Sequence, residues 1–263
     1  MYAGITGASG TLGKIIQSKL TTMGGQFSVF TGDILNQNEV REWLNSKSFD
    51  TIFHFAAVVS TTEVQSRPAH AFQVNVNGVA IILECLANLQ MKPWFFYASS
   101  SHVYQSQSHA IRETDVIAPI NVYGLTKRMG EQIVETCAPA AEIEFCIGRI
   151  FSFFHKFQIG SFLYPMLLKR FATEDLSKPF KLMGATDVRD ITLADTIVDY
   201  IIQLAQFRAN GIINIGSGVG TRIDEFVQLV APQPIHIVNS TNTAPTTLIA
   251  DITRLKEFLK RHL

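Results

Sequence analysis

A tyrosine and a lysine stand four residues apart in Tyr123-Gly-Leu-Thr-Lys127, within a helical pattern over residues 121–137. Residues i and i+4 share one face of a helix, so both side chains reach the same pocket. A tyrosine with its ordinary pKa of about 10 is a poor base at neutral pH. An adjacent ammonium favours the phenolate and lowers that pKa. The pair can therefore move a proton on or off a hydroxyl or carbonyl oxygen.

Hydroxyl groups upstream strengthen this interpretation. By itself, Tyr-x-x-x-Lys is a common spacing that also describes a surface tyrosine beside a solvated lysine. The run Ser99-Ser100-Ser101-His102, however, lies at the carboxyl end of a predicted strand over residues 93–98. A hydroxyl there can hydrogen-bond the same oxygen that the tyrosine protonates, which favours a catalytic pocket.

Three glycines follow the first predicted strand, Tyr2–Ile5, and a helical pattern begins directly after them. The order of strand, glycine turn and helix is that of a dinucleotide-binding unit, although a glycine-rich turn of another α/β protein is the alternative. Gly7 allows unusual backbone angles, Gly10 allows close approach to a pyrophosphate, and Gly13 allows tight helix packing. The helix N-terminus offers free N–H groups and a positive dipole end to phosphates.

Strands and helices alternate along the first 150 residues. Apolar runs and helical spacing predict strands at 27–30, 51–55, 93–98 and 144–148, and helices at 38–46, 68–89 and 121–137. This alternation implies βαβ units and therefore an α/β fold with a Rossmann-type doubly wound parallel sheet. Right-handed crossovers place ligands at the carboxyl ends of the strands.

The pattern changes from Phe151 onward, where aromatic residues crowd a short region. We predict a dinucleotide-binding domain at residues 1–150, to which 191–215 returns, and a smaller substrate-binding portion at 151–190 and 216–263. Each single phenylalanine of this region is more simply explained as core than as a functional residue. The sequence further predicts helices at 162–171, 193–207 and 222–230, and a strand at 211–215.

The composition of the chain argues against some classes of binding partner. Lys plus Arg equals Asp plus Glu at 22 each in 263 residues, so no basic balance favours nucleic acid or an anionic membrane. No apolar run reaches the roughly 18–20 residues of a membrane span, and no signal peptide precedes the first strand. Cys85, Cys137 and Cys146 lack metal-type spacing, so we expect reduced thiols in the cytoplasm and no metal site.

Together, the motifs of this chain resemble the extended short-chain dehydrogenase/reductase family, in its NAD-dependent epimerase/dehydratase branch. The resemblance covers nearly the whole chain. It rests, in chain order, on TGASGTLG, Gly32-Asp33-Ile34, His54-Phe55-Ala56-Ala57, Asn75, YASSSHVY, YGLTK, Arg149, Val188-Arg189-Asp190 and Asn214-Ile215-Gly216-Ser217-Gly218.

The resemblance implies roles for individual residues. Tyr123 would be the general acid/base, Lys127 its partner and a ligand of the nicotinamide ribose, and Ser100 the catalytic serine, matched by its distance to the Val-Tyr pair. The implied NAD-binding residues are Gly7, Ser9, Gly10, Thr11, Leu12, Gly13, Asp33, Ile34, Phe55, Ala56, Ala57, Asn75, Ala98, Ser99, Tyr123, Lys127, Ile150 and Phe151. The implied substrate contacts are Ser100, Ser101, His102, Ser152 and Arg189, of which the arginine would bind the diphosphate of a nucleotide sugar.

The chain departs from the family pattern in three places. The second strand runs almost directly into the Gly-Asp-Ile motif, which leaves Asp33 to bind the adenosine ribose and favours NAD over NADP. Ser152 stands where the family often has asparagine. Ser101 and His102 stand where dehydratases carry Asp-Glu, so a 4,6-dehydration is not expected.

The implied reaction is hydride transfer between the nicotinamide and a ring carbon, C4, of a nucleotide-activated hexose. A 4-epimerase and a 4-ketoreductase both remain open, as does a catalytically silent dinucleotide-binding sensor of the same fold. The family pairs through helices at 68–89 and 121–137, so a homodimer is expected. Of the histidines His54, His102 and His155, which are more often structural than catalytic, His102 lies nearest the predicted pocket.

Overall fold

The computed structural model describes residues 1–262 of the chain. Its strands are β1 (Tyr2–Thr6), β2 (Gln26–Val29), β3 (Thr51–His54), β4 (Trp94–Ser100), β5 (Phe145–Ile150), β6 (Ser152–Phe154), β7 (Phe180–Leu182), β8 (Val188–Leu193), β9 (Gly211–Ile215), β10 (Gly220–Arg222), β11 (Ile237–Asn239) and β12 (Thr247–Leu248). Its helices are α1 (Thr11–Thr22), α2 (Gln37–Asn45), α3 (Thr61–Ser66), α4 (Pro68–Phe72), α5 (Gly78–Ala87), α6 (Val122–Ala140), α7 (Leu163–Thr173), α8 (Ala194–Gln206), α9 (Ile223–Val230) and α10 (Thr253–Lys260).

A six-stranded parallel sheet in the order β2-β1-β3-β4-β5-β9 forms the centre of the protein. The order reverses around β1, which creates the crevice at the carboxyl ends of the strands where doubly wound folds bind ligands. Helices cover both faces of the sheet, as a buried parallel sheet requires. The predicted α/β Rossmann-type fold is therefore confirmed.

Alternate residues of the strands supply two apolar cores, one on each face of the sheet. Phe53 and Phe96 belong to the core beneath α1 and α8, whereas Ile52 and Phe95 belong to the core beneath α2, α5 and α6. All four of these side chains are fully buried. Because successive side chains of a strand point to opposite faces, a continuous apolar run can serve both cores.

The predicted helix at 68–89 is a helical segment interrupted by a π-helical turn over Gln73–Asn77, between α4 and α5. By length and composition, Pro68–Ala87 is apolar enough to cross a membrane. In this fold, Val79, Ile82 and Leu86 pack in the core against the sheet and are inaccessible to solvent. The apolar composition of the helix is therefore explained by its place in the core.

The smaller portion of the chain is built around β8, which pairs with β6, β10 and β12. A separate pair, β7 with β11, lies on a third apolar cluster that includes Leu167, Phe180 and Val227. Sequence patterning did not predict these short strands. Two- to six-residue strands with half-buried side chains lack the long apolar run by which the central strands are recognised.

The end of the chain corrects one predicted boundary. The sequence assigned residues 216–263 to the smaller portion, of which residue 263 lies outside the described residues. Leu255 and Leu259 of α10 are instead buried in the main core, and α10 packs on β9. Strand β9, which is the predicted strand 211–215, is the outermost strand of the large sheet and needs a helix over its apolar face.

We expect Leu255→Ala to lower the free energy of unfolding by about 2–5 kcal/mol, because it leaves a cavity in the main core. The matched control is Leu229→Ala on α9, whose leucine is 76% exposed and whose loss should change stability by about 0.5 kcal/mol or less. Urea unfolding of both variants measures the difference. Equal losses in the two variants would contradict the packing of α10 on the large sheet.

Candidate active site

A cavity of about 820 Å³ opens where β1, β3, β4 and β5 end, between the large sheet and the smaller portion. It collects most of the residues that the sequence predicted. The predicted residues in its wall are Gly7, Ser9, Gly10, Thr11, Leu12, Gly13, Phe55, Ala57, Ala98, Ser99, Ser100, Ser101, His102, Tyr123, Lys127, Ile150, Phe151, Ser152 and Arg189.

The glycine turn between β1 and α1 has the shape that a pyrophosphate group needs. Gly7 has a φ of +67°, and a Cβ there would lie 2.5 Å from the Ala56 backbone nitrogen. A Cβ on Gly13 would collide with the Gly7 carbonyl oxygen. No side chain caps α1, so the N–H groups of its first turn stay available to an anion. These residues fit the diphosphate of NAD, and Ser9 to Gly13 would hold it.

Ser100 and Tyr123 meet in the cavity wall. Ser100, the last residue of β4, and Tyr123, in the first turn of α6, both line the cavity. The backbone N–H of His102 donates to Ser100 Oγ at 3.2 Å. With its hydroxyl oxygen already accepting that bond, Ser100 keeps its own hydrogen for the phenol or for a substrate oxygen.

The electrostatics of the tyrosine–lysine pair differ from the sequence-based expectation. Burial raises the pKa of Tyr123 to about 12, and the nearby Ser100 hydroxyl only partly opposes this. Burial also lowers the pKa of Lys127 to about 7, against the field of the Glu131 carboxylate, which raises it. The predicted lowering of the phenol pKa by an adjacent ammonium is therefore not found in this structure, because desolvation dominates and the effect that opposes it comes from Ser100.

Lys127 is held by an aromatic ring and a helix turn. Its side chain is 3% exposed, and Nζ lies 4.4 Å from the centroid of the Tyr97 ring. The Tyr97 hydroxyl donates to the Lys127 carbonyl at 3.4 Å. A Cβ on Gly130 would collide with that hydroxyl, so glycine one turn later lets α6 approach β4 closely. These contacts fix where the amine enters the cavity.

A buried carboxylate ties α6 to the sheet. Glu131, fully buried, accepts bonds from Ser99 Oγ at 2.5 Å and from Arg149 Nε and Nη2 at 2.9 Å each. Arg149 Nη1 donates to the Tyr104 hydroxyl at 2.7 Å, which donates to Asn214 Oδ1 at 2.9 Å. Bidentate pairing satisfies both buried charges. Because Ser99 Oγ donates its hydrogen to Glu131, this predicted cofactor ligand could meet NAD only as an acceptor.

Four predicted cofactor residues lie outside the cavity wall. Asp33 Oδ1 accepts from the Leu35 N–H at 2.9 Å and so caps its own exposed turn. Ile34 is buried in the core beneath α5. Ala56 meets the cavity only indirectly, as the backbone against which Gly7 packs. The side chains of Asp33 and Ile34 therefore stabilise the short segment after β2.

Asn75, the fourth of these residues, acts on the cavity through the loop after β3. Its amide oxygen accepts from the Val58 N–H at 2.7 Å, and its Nδ2 donates to the Val58 carbonyl at 2.9 Å. The same Nδ2 lies 3.0 Å from Thr126 Oγ1 on α6. The π-helical turn that contains Asn75 is the kind of local distortion often found at functional sites. Asn75 therefore positions the cavity wall that begins at Ala57.

Arg189 lines the cavity, but most of its hydrogens have protein partners. Nη1 donates to the Val188 and Thr246 carbonyls at 2.9 and 2.8 Å, and Nη2 donates to Asp187 Oδ2 at 3.1 Å and Thr246 Oγ1 at 2.7 Å. Only its Nε–H has no partner among residues 1–262. A diphosphate would therefore find the positive charge of Arg189 but only one free N–H donor, so the guanidinium could not bind it with two hydrogen bonds.

The phenylalanines expected as core are half-buried residues that also face the cavity. Phe154 packs on Tyr164 and Phe226, with ring centroids 5.5 and 5.2 Å apart. Phe153 and Phe162 stand in the same wall. A concave apolar wall with a few polar groups at one end is typical of a small-molecule site.

Two residues important to the site were missed by sequence reasoning. Glu131 stands four residues after Lys127, so the i+4 rule that paired Tyr123 with Lys127 also places Glu131 on that face. Asn121 caps α6 by accepting from the Gly124 N–H at 2.8 Å, and an asparagine before a helical pattern is a start signal. Its side chain also contacts His102, with Nδ2 3.0 Å from Nδ1.

The other two candidate histidines lie outside the cavity wall. His54 is fully buried between the rings of Phe95 and Tyr97, and its Nδ1 is 2.9 Å from Thr6 Oγ1. Burial lowers the pKa of His54 to about 3, so its ring stays neutral. His155 contacts Asp195 at 3.4 Å. Both histidines are accounted for by packing.

Comparison with known proteins gives one family match and close likeness in fold. The family described as NAD dependent epimerase/dehydratase family matches residues 3–216. UDP-glucose 4-epimerase of Mycoplasma genitalium is 27% identical over 262 residues, which span 87% of this chain and 75% of the relative. dTDP-4-dehydrorhamnose reductase of Aggregatibacter actinomycetemcomitans is 31% identical over 145 residues, which span 53% of this chain and 48% of the relative.

Among solved structures, UDP-glucuronic acid 4-epimerase from Bacillus cereus in complex with UDP-glucuronic acid and NAD superposes with a TM-score of 0.83. It is 21% identical, and the match covers 99% of this chain and 93% of that one. At this identity the likeness shows the fold.

We expect Lys127→Met to raise the free energy of unfolding at pH 7, because a methionine has no charge to desolvate. The folded pKa of Lys127 is about 7 and the unfolded value about 10.4, so the ammonium destabilises the fold fully below pH 7 and not at all above about pH 10.4. The advantage of the variant should therefore shrink as pH rises through this window. Urea unfolding at several pH values measures it.

The control is Lys260→Met at the exposed end of α10, whose stability difference from the parent should not change with pH over the same range. An advantage of Lys127→Met that stays constant or grows with pH would contradict the desolvated lysine.

Proposed function

The chain belongs to the NAD dependent epimerase/dehydratase family, and on that premise we propose that it moves a hydride between NAD and C4 of a nucleotide-activated hexose. In this proposal, NAD held by the glycine turn would supply the hydride chemistry. The chain supplies the proton chemistry and the orientation of the sugar. The observation that carries the proposal is that Ser100, Tyr123 and the glycine turn all lie in the wall of one cavity.

Tyr123 is proposed as the group that takes the proton from the C4 hydroxyl during oxidation and gives it back during reduction. A pKa of about 12 keeps the Tyr123 phenol protonated at neutral pH, so it holds the proton that reduction of a ketone needs. Oxidation requires the phenolate, and a cation brought near the phenol would favour that form. Ser100 orients the sugar oxygen through its remaining hydrogen.

Lys127 is proposed to act from a mixed protonation state. With a pKa of about 7, the amine is close to half protonated at neutral pH and offers N–H donors in either form. We propose that it binds hydroxyl groups of the nicotinamide ribose from its position over the Tyr97 ring. The Glu131 carboxylate one turn later favours the charged form.

For the nucleotide part of the substrate, we propose the aromatic wall and Arg189. Half-buried aromatic rings of this wall, such as Phe153 and Phe154, are proposed to stack with a planar base. Arg189 adds a positive charge at the same wall. Preference for NAD over NADP is supported by the segment after β2, because no lysine or arginine occurs between residues 20 and 40 to bind a 2′-phosphate.

A homodimer through the outer faces of α4, α5 and α6 remains part of the proposal, and so does a cytoplasmic location. Sedimentation of the purified chain as a strict monomer would remove the dimer from it.

We expect a 4-epimerase to carry NAD through purification and to interconvert two sugars without net change in absorbance at the NADH band. A 4-ketoreductase would consume reduced cofactor in proportion to product. Mass spectrometry of the purified protein and a panel of nucleotide sugars separate the two. If the protein carries no dinucleotide and turns over no sugar of the panel, both the 4-epimerase and the 4-ketoreductase are contradicted.

We expect Tyr123→Phe to reduce turnover on the order of 10²- to 10⁴-fold while leaving cofactor affinity nearly unchanged, because it removes one hydroxyl from the acid/base position. Turnover and cofactor titration by fluorescence measure the two effects. Tyr200→Phe, outside the cavity wall, serves as the matched control. Unchanged turnover in Tyr123→Phe would reject Tyr123 as the acid/base.

A further inference from the structure

Asn121 uses the two ends of its amide for two different partners. One end accepts from the Gly124 N–H at 2.8 Å, and the other lies 3.0 Å from Nδ1 of His102. A backbone N–H can only donate, so the atom that faces Gly124 is the amide oxygen. The NH₂ group therefore faces His102. Helix capping decides the orientation of this amide, which a hydrogen-bond network alone often leaves open.

The tautomer of His102 follows from that orientation. The NH₂ group of Asn121 has no lone pair to offer, so Nδ1 of His102 accepts the hydrogen bond. In a neutral imidazole the proton then stands on Nε2. Burial and the nearby Arg189 guanidinium lower the pKa of His102, which agrees with a neutral ring.

His102 is in contact with both catalytic groups. Its ring meets the Tyr123 ring edge-on, with centroids 5.5 Å apart and planes at 72°. Its backbone N–H donates to Ser100 Oγ. A Cβ on Gly124 would collide with the His102 carbonyl oxygen, so the turn that carries His102 is pressed against the start of α6. The position of the ring is therefore set from two sides.

The Nε2 atom of His102 has no hydrogen-bond partner among residues 1–262, since the one side-chain bond of this histidine is made by Nδ1. Among the described residues, His54 Nε2 is the one buried side-chain polar atom without a hydrogen-bond partner. His102 Nε2 is therefore not fully buried. His102 stands in the cavity wall beside Ser100 and Tyr123. A hydrogen-bond donor is thus open to the cavity, next to the place where the reacting oxygen would lie.

We propose that His102 is a specificity-determining residue whose Nε2–H binds a substrate oxygen next to the reacting carbon, and that Asn121 is the positioning residue for this donor. The identity of the substrate oxygen rests on the proposed function, whereas the tautomer does not. A protonated Nε2 cannot accept a proton from carbon, so this histidine contributes to substrate recognition and does not act as a second base. A substrate that lacks the oxygen leaves the donor unpaired and binds less well.

The tautomer is tested by long-range ¹H–¹⁵N NMR of histidine-labelled protein with NAD at pH 7.5, with His102 assigned from its missing signal in His102→Gln. We expect the Nε2–H pattern. Asn121→Asp keeps the oxygen that caps Gly124 but replaces the NH₂ group with a second acceptor, so the ring should shift to Nδ1–H or to the charged form. An Nδ1–H or charged ring in the parent, or the same pattern in parent and Asn121→Asp, would overturn the proposal.

Specificity is tested with UDP-glucose and its 3-deoxy and 6-deoxy analogues, whose missing oxygens flank C4. His102→Phe keeps a ring against Tyr123 without the donor, and kcat/KM for UDP-glucose should fall about three- to tenfold. For the parent, one of the two analogues should have a lower kcat/KM than UDP-glucose. In His102→Phe, kcat/KM for that analogue and for UDP-glucose should become equal. Discrimination that the variant keeps against both analogues would overturn the proposal.

His236→Gln, an exposed histidine in the smaller portion, is the control and should change neither value. If the parent turns over another nucleotide sugar of the panel instead, that sugar and its 3-deoxy and 6-deoxy analogues replace UDP-glucose, and if it turns over none, the proposed function has failed. The NMR comparison then decides the tautomer and its dependence on Asn121 independently.

Discussion

The buried carboxylate of Glu131 holds the catalytic helix on the sheet. It joins α6 to β4 through Ser99 and to β5 through Arg149, and both of these contacts are buried. A charge this deep is tolerated only when an opposite charge and good hydrogen bonds compensate its desolvation. Since Lys127 lies one turn before Glu131, the same bonds that satisfy the carboxylate also decide where the amine stands. Stability and placement of the site therefore share one set of contacts.

Burial has a second consequence, on proton affinity. It raises the pKa of Tyr123 to about 12 and lowers the pKa of Lys127 to about 7, so both groups favour their uncharged forms. A cation introduced beside the phenol would shift Tyr123 toward the phenolate, because opposite charges attract strongly where water is excluded. The structure thus has a tyrosine whose proton affinity is sensitive to what enters the cavity.

The cavity wall divides into two chemically distinct halves. The half on the large sheet has glycines, hydroxyl groups and helix N–H donors, which suit a dinucleotide. The half on the smaller portion has aromatic rings and Arg189, whose guanidinium is largely engaged with Asp187 and Thr246. Recognition of a substrate there depends more on apolar contact than on charge, which makes each polar donor near Ser100, such as His102, important for specificity.

The sequence by itself determined the succession of strands and helices along the first 150 residues, the glycine turn, and the shared face of Tyr123 and Lys127. These features depend on local periodicity and backbone conformation. Only the tertiary structure decided that α10 covers the large sheet, that Asp33 caps a turn outside the cavity, and that Asn121 meets His102. It also reversed the expected direction of the Tyr123 pKa. Such features depend on which residues, distant in sequence, pack together and exclude water from one another. The spacing of residues along a chain does not show this packing.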